Sequence, residues 1–171
     1  MKSVLISIKP KWCEKIARGE KTIEVRKSEP KEVPFKTYIY CTYGNDKENY
    51  MLGRRGKIIG EFVCDKILEI EVFKSGTIKN YWFYNLDKSC LSFDEMGAYI
   101  GKENIGYGWH ISDLKIYDKP RELNEFIKRC NCKGHCFMCE REIVKQDKSK
   151  QMCVCYEKVT RPPQSWCYVE E

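Results

Sequence analysis

The chain is short of the residues that most catalytic signatures need. It has two histidines in 171 residues, so a serine–histidine–aspartate relay has little to be built from and no spacing supports one. A phosphate-cradling loop is missing too. Gly53-Arg54-Arg55-Gly56-Lys57 is too short for a P-loop, and Gly106-Tyr107-Gly108 lacks the third glycine of a dinucleotide fingerprint. The longest uncharged stretches, Pro162 to Val169 and Ile105 to Ser112, fall far short of the ~18 apolar residues of a spanning helix, which argues against a helical membrane protein. The opening apolar run stops at Lys9-Pro10-Lys11 without a small-residue cleavage site, so the expected location is the cytoplasm. Neither a repeat nor a low-complexity segment is present.

What is there suits one folded domain with a small appendage. Hydrophobic residues make up 42% and charged residues 33%, an ordinary globular balance that excludes disorder. The formal net charge is +6, and its distribution carries more information than its size. Residues 1–43 hold +5, residues 44–128 hold −1 and residues 129–171 hold +2. An N-terminal basic excess suits phosphate contact, and suits a solvated surface equally well.

Residues 3–8 read as a buried strand. Pro10 then opens a helix that runs to about Arg18 and stops at Gly19. Trp12, Cys13, Ile16 and Ala17 share one face of that helix, opposite a basic stripe of Lys11, Lys15 and Arg18. Residues 22–26 alternate as a half-buried strand, with Ile23 and Val25 inward and Thr22, Glu24 and Arg26 on the other face. Residues 35–43 and 57–72 read as further strands. Ser92 and Glu95 have the spacing of a capping box for a helix to about Lys102, residues 106–117 read as a strand, and Pro120-Arg121 opens a short helix towards Lys128.

After Lys128 the composition shifts. Seven of the eleven cysteines lie between Cys130 and Cys167, among few aliphatic residues, so residues 129–171 form an extension that needs another source of order. Cys130/Cys132, Cys136/Cys139 and Cys153/Cys155 are three close pairs. Two such pairs hold a tetrahedral zinc ion, worth an apparent ~10–16 kcal/mol in small peptides, and structural zinc is the expected cofactor. Free thiols, a redox pair and an iron–sulfur cluster are the other readings. Cys13, Cys41, Cys64 and Cys90 read as small buried hydrophobes.

Gly19-Glu20-Lys21-Thr22-Ile23-Glu24-Val25-Arg26, preceded by Ser7-Ile8-Lys9-Pro10 and a short helix, resembles the signature of the ASCH domain, a member of the PUA-like superfamily. The resemblance covers residues 1–128. The closing segment from Thr160 to Tyr168 is similar to the end of a bacterial and phage-associated branch that carries cysteines before it. An α+β fold is implied, a small β-barrel flanked by helices, with a cleft beside the barrel for RNA, a nucleotide or a modified nucleoside.

In such a cleft Lys21 and Arg26 hold phosphate while Glu24, about 7 Å from Arg26 along the strand, accepts hydrogen bonds from a base or ribose. Lys9 and Thr22 belong to the same stretch. Trp109, Tyr107, Trp82 and Trp166 offer stacking surfaces, and Arg161, Gln164 and Ser165 sit in a proline-stiffened segment that closes the cleft or covers a sheet edge. The alternative is a surface ion pair worth ~0–1 kcal/mol and aromatics that belong to the core. Some ASCH relatives are acetylcytidine amidohydrolases using a Lys, Thr and Glu set, and others are ribonucleases. Lys21 matches that lysine, but the hydroxyl position is Glu24 here; Thr22 lies nearby, and Glu95 and Glu103 are carboxylates without motif support. His110 reads as a satisfied structural residue. A third reading is a protein-interaction module acting through the cysteine-rich extension.

Overall fold

The computed structural model describes residues 1–44, 51–73, 78–79, 86–129, 143–147 and 152–171. Eleven strands and two α-helices lie among them. Strand β1 (Ser3–Ile8) leads into α1 (Pro10–Ala17), and β2 (Ile23–Arg26), β3 (Phe35–Cys41), β4 (Lys57–Cys64) and β5 (Ile67–Glu71) follow. Helix α2 (Phe93–Ile100) precedes β6 (Ile105–His110), β7 (Ser112–Arg121), β8 (Ile127–Arg129), β9 (Ile143–Asp147), β10 (Met152–Lys158) and β11 (Trp166–Val169).

The main sheet has the order β11-β1-β3-β4-β7, with β1 and β3 parallel and the other pairs antiparallel. A second sheet runs β2-β6-β5 and a third β8-β10-β9. Among the described residues the ladders stay three separate sheets, so the closed barrel expected from the sequence is not formed by hydrogen bonding. Strand β1 carries apolar residues on both faces because both are covered: Val4, Leu5 and Ile6 are wholly buried. Val4, Ile6 and Ile8 face one core with Cys13, Ile16, Phe35, Ile39 and Trp109, while Leu5 faces another with Tyr38, Tyr40, Phe126 and Val159. A third cluster, including Ile23, Val25, Ile70, Met96 and Ile100, lies between the second sheet and α2.

Local signals set the helix ends. Pro10 stands in the first turn of α1, and Gly19 adopts φ +73°, a left-handed conformation that suits glycine and turns the chain towards β2. In α2 the Ser92 hydroxyl accepts from the Glu95 amide and the Glu95 carboxylate accepts from the Ser92 amide, the expected capping box. Gly60, where β4 shifts register against β7, has a close backbone neighbour: a Cβ there would come within 2.4 Å of the Lys115 carbonyl oxygen.

Four elements differ from the sequence reading, the first being the stretch over 57–72, which is two strands, β4 in the main sheet and β5 in the second. The helix expected from Pro120 is the end of β7, one 3₁₀ turn over Leu123–Glu125, and β8. Strand β7 lies at the edge of its sheet, where proline is tolerated, and Ile127 pairs with Glu170, which keeps the chain extended. The strand read over 106–117 breaks at Ile111, because β6 belongs to the second sheet and β7 to the first. All four residues of β2 are buried, so its polar face is not a wet one. Cys13, Cys41 and Cys64 are buried as expected, whereas Cys90 is partly exposed at a left-handed φ of 57°, and Ala17 is exposed. Cys130, Cys132, Cys136, Cys139 and Trp82 lie outside the described residues, as does the side chain of Cys153 in β10. Cys155 is buried in β10, opposite Val144.

Candidate functional site

The turn after α1 presents the site. Glu20 and Lys21 both donate their amides to the Lys15 carbonyl, and Thr22 donates to Lys88, so the chain enters β2 with the Lys21 side chain directed inward. Lys21 is 2% exposed, and Glu24 and Arg26 are each 6% exposed, which makes these three charges part of the interior rather than a solvated row. Lys21 Nζ donates to the carbonyls of Ile23 at 2.9 Å and Ser89 at 2.5 Å, and lies 3.2 Å from Glu24 Oε2. Arg26 Nη2 donates to the Ser7 carbonyl at 2.7 Å and reaches Glu24 Oε1 at 2.9 Å. Glu24 thus stands between two cations, and the triad carries one net positive charge.

Two polar atoms in this triad are left over. Glu24 Oε2 is within ion-pair range of Lys21 but accepts no hydrogen bond, and Arg26 Nε has no acceptor. Both atoms are buried, where an unmet hydrogen bond costs roughly 1–3 kcal/mol. The two residues line a cavity of about 360 Å³ together with Trp12, Lys21 and Tyr99. Lys9, Ser7, Thr42 and Gln164 complete its polar lining. Gln164 is brought there by the end of β1: the Ser7 amide donates to the Ser165 carbonyl at 3.0 Å and the Ser7 hydroxyl donates to the Pro163 carbonyl at 2.6 Å.

Of the residues singled out in the sequence, Lys9, Lys21, Glu24, Arg26 and Gln164 meet at this cavity. Thr22 is half-buried and does not line it, and Arg161 is exposed nearby in sequence only. Ser165 contributes its carbonyl to β1 rather than a side chain to the lining. Trp109 is wholly inside the core, edge-on to Phe35 at 5.1 Å and to Trp166 at 5.7 Å, so it supports the wall rather than forming it. Trp166 is half-buried and donates its indole N–H to Ser28 Oγ at 3.1 Å. Tyr107 is partly buried against the same core.

Two aromatic residues were missed. Trp12 read as core, yet its ring lines the cavity with Lys11 Nζ 4.7 Å and Lys21 Nζ 5.4 Å from its centroid. An indole beside a basic stripe on one short helix is the signal that marks it. Tyr99 reaches the cavity because α2 packs across β2, a contact with no local sequence signature.

Other reactive groups are held elsewhere. Burial pushes the Cys13 thiol well up from its ordinary value, and a hydrogen bond with the Cys41 thiol adds to this, so it is a poor nucleophile behind the cavity wall. Burial likewise pushes Cys64 up to about 12. Hydrogen bonds within the α2 cap, from the Ser92 amide first, lower the Glu95 pKa and engage its carboxylate there. The Glu103 side chain lies outside what is described. His110 is satisfied by Asp65, Nδ1 to Oδ1 at 2.6 Å, although the pair is partly exposed rather than packed.

No family model and no curated protein matches the chain. Solved structures do. The ASCH protein of Zymomonas mobilis is 17% identical over 99% of this chain and 89% of its own, with a TM-score of 0.61. The fold is that of an ASCH domain. Two point-mutant forms of the same protein give TM-scores of 0.63 and 0.62 at 16% identity, covering 92% and 89% of their own lengths. This ASCH fold is mostly strand, with two α-helices among the described residues. No described helix is long and apolar enough to cross a membrane.

Proposed function

We propose that the cavity binds a nucleobase, presented by RNA or a nucleotide, and that the protein is an RNA-binding ASCH domain of the cytoplasm. The observation that carries this reading is that two buried polar atoms of the triad are unmet, the acceptor Glu24 Oε2 and the donor Arg26 Nε. A base edge carries both a donor and an acceptor, the two kinds of partner that these atoms lack. A bare phosphate would answer Arg26 but set an anion against Glu24. The phosphate-holding role expected of Lys21 is less well supported, since its ammonium already faces two carbonyls and a carboxylate. The volume falls in the ~300–1,000 Å³ range of small-ligand clefts. Trp12 and Tyr99 supply ring faces, and stacking is worth ~1–3 kcal/mol per base.

Binding is better supported than turnover. The hydrolytic alternative asks Lys21 to act on a substrate, yet its Nζ donates to two backbone carbonyls and lies beside the Glu24 carboxylate, and Thr22 is not in the lining. Titration of the four nucleoside monophosphates against intrinsic fluorescence is the test. Trp12→Ala should weaken the preferred one by about tenfold or more and leave the melting temperature nearly unchanged, because the ring is half-exposed. Equal affinity in both proteins removes the cavity from the account, and turnover of an N-acylated nucleoside that is lost in Lys21→Ala would establish the hydrolase instead.

Structural zinc held by the cysteine pairs of the extension belongs to the same proposal. Elemental analysis should find about one zinc per chain, and chelation should lower the melting temperature while wild-type protein with stoichiometric zinc recovers it.

A further inference from the structure

A second opening lies at the other end of β1. It is a groove of about 680 Å³ between the main sheet and the third sheet. Three cations line it, Lys2, Lys36 and Arg129, with three tyrosines, Tyr38, Tyr156 and Tyr168. Tyr168 is 38% exposed with Lys2 Nζ 5.7 Å above its ring, and Lys36 Nζ lies 5.3 Å from the ring of Tyr38. Arg129 has no ion-pair partner among the described residues. Lys2 pairs with the exposed carboxylate of Glu32 and Lys36 with the half-buried carboxylate of Glu61 at 3.4 Å; the exposed pair is weak enough for a ligand to displace, so Lys2 and Arg129 are the cations most open to phosphate. Two acids, Glu170 and Glu171, also line the groove. The Glu171 carboxylate accepts from Arg121 Nη1 at 2.5 Å and from the Tyr38 hydroxyl, so its charge is answered from within the protein and its pKa is lowered, chiefly by Arg121.

Groove and cavity are joined by one run of chain. Gln164 lines the cavity and Tyr168 lines the groove, and between them stands Trp166, on the same face of β11 as Tyr168 with the two rings 5.4 Å apart. Ser3 at the groove and Ser7 at the cavity are four residues apart along β1, roughly 13 Å at ~3.3 Å per residue. A stacked strand at ~3.4 Å per nucleotide covers that span in about four nucleotides.

We infer that the groove is a second contact for single-stranded RNA, so that the ligand of this protein is a strand of several nucleotides rather than a free nucleotide. The inference rests on the base-binding reading of the cavity. One base enters the cavity, the next ones pass the Trp166–Tyr168 edge, and the groove cations hold the phosphates that follow. Cations interleaved with aromatic faces are the chemistry that single strands require, because every base has a stacking face and every link a charge. A path of this kind selects length over sequence.

The test compares fluorescein-labelled homopolymeric RNA decamers with nucleoside monophosphates, on the full chain. Arg129→Ala and Tyr168→Ala each change a side chain at the protein surface, and their melting curves check that the fold persists. Each should weaken the preferred decamer by about tenfold, and Arg129→Ala should also reduce the salt slope by about one, with mononucleotide affinity unchanged in both. If decamer affinity is unchanged in both variants while mononucleotides still bind, the groove inference is overturned and the cavity reading stands. If the decamer responds to the groove variants but not to Trp12→Ala, the groove contacts RNA by itself, and both the cavity reading and the path from cavity to groove are overturned. A wild-type protein that binds neither probe overturns both.

Discussion

Lys21→Met lowers the stability of the folded protein by about 3–5 kcal/mol, the range expected when one member of a buried ion pair is removed and the other stays behind. The substitution takes away a charge that is 2% exposed and leaves three groups without it: the carbonyls of Ile23 and Ser89, and the Glu24 carboxylate. Methionine fills much of the same volume, so the loss reports on the charge and its hydrogen bonds rather than on a cavity. For a chain of this size each kcal/mol moves the melting temperature by roughly 2–4 °C, which places the shift at roughly 6–20 °C. Thermal melts and urea titration of wild type and variant measure it. Arg18→Ala is the control, because Arg18 pairs with Glu14 at 2.7 Å on the outer face of α1 with 62% of its side chain exposed, and should cost under ~1 kcal/mol. If Lys21→Met melts like Arg18→Ala, Lys21 does not hold β2 to the segment before α2.

That expectation could not have been drawn from the sequence, and the reason lies in where the partners of Lys21 come from. The turn, the helix and the strand are written locally: Pro10 and Gly19 mark the ends of α1, and Ile23 and Val25 mark the core side of β2. The Ser92–Glu95 cap was equally legible, because both partners sit within one turn. Burial of the charged face is a long-range result. Ser89 lies 68 residues from Lys21, and the Ser7 carbonyl that receives Arg26 lies 19 residues upstream. Alternation of apolar and charged residues normally means one wet face; here a helix, the 3₁₀ turn Leu86–Ser89 and a strand end close over it, and mutual pairing of the charges is what makes that tolerable. The same limit explains Pro120. A proline before charged residues is a fair helix start, but an edge strand accepts it equally well, and the choice is made by Ile127 and Glu170, which pair from opposite ends of the chain's last third. Trp12 was legible as an aromatic on α1, and its function was not, since only the packing of β2 and α2 makes the space beside it a cavity.

Glu24→Gln should reverse what the cavity prefers. In the wild type Glu24 divides its two oxygens between Lys21 and Arg26, so two cations and one anion leave the site with a single positive charge. The amide keeps the shape and one acceptor but removes the counter-charge, and the site becomes doubly positive. It also puts an N–H₂ donor where one of the carboxylate oxygens stood, opposite cations that cannot accept from it. A base that donated to Glu24 Oε2 loses a hydrogen bond to a charged group, worth about 1.5–3 kcal/mol, so nucleoside affinity falls by roughly 10- to 150-fold. Inorganic phosphate moves the other way. With the carboxylate gone it meets Lys21 and Arg26 without repulsion, and its binding strengthens and becomes more dependent on salt. Isothermal titration of one uncharged nucleoside and of phosphate into both proteins reads the two changes separately, and a melt of the variant establishes that each is measured on folded protein. Opposite shifts for the two ligands are what base recognition by Glu24 requires. Parallel losses would mean that Glu24 acts only by holding Lys21 and Arg26 in place, and an unchanged nucleoside affinity would mean that the leftover atoms of the triad do not meet the ligand.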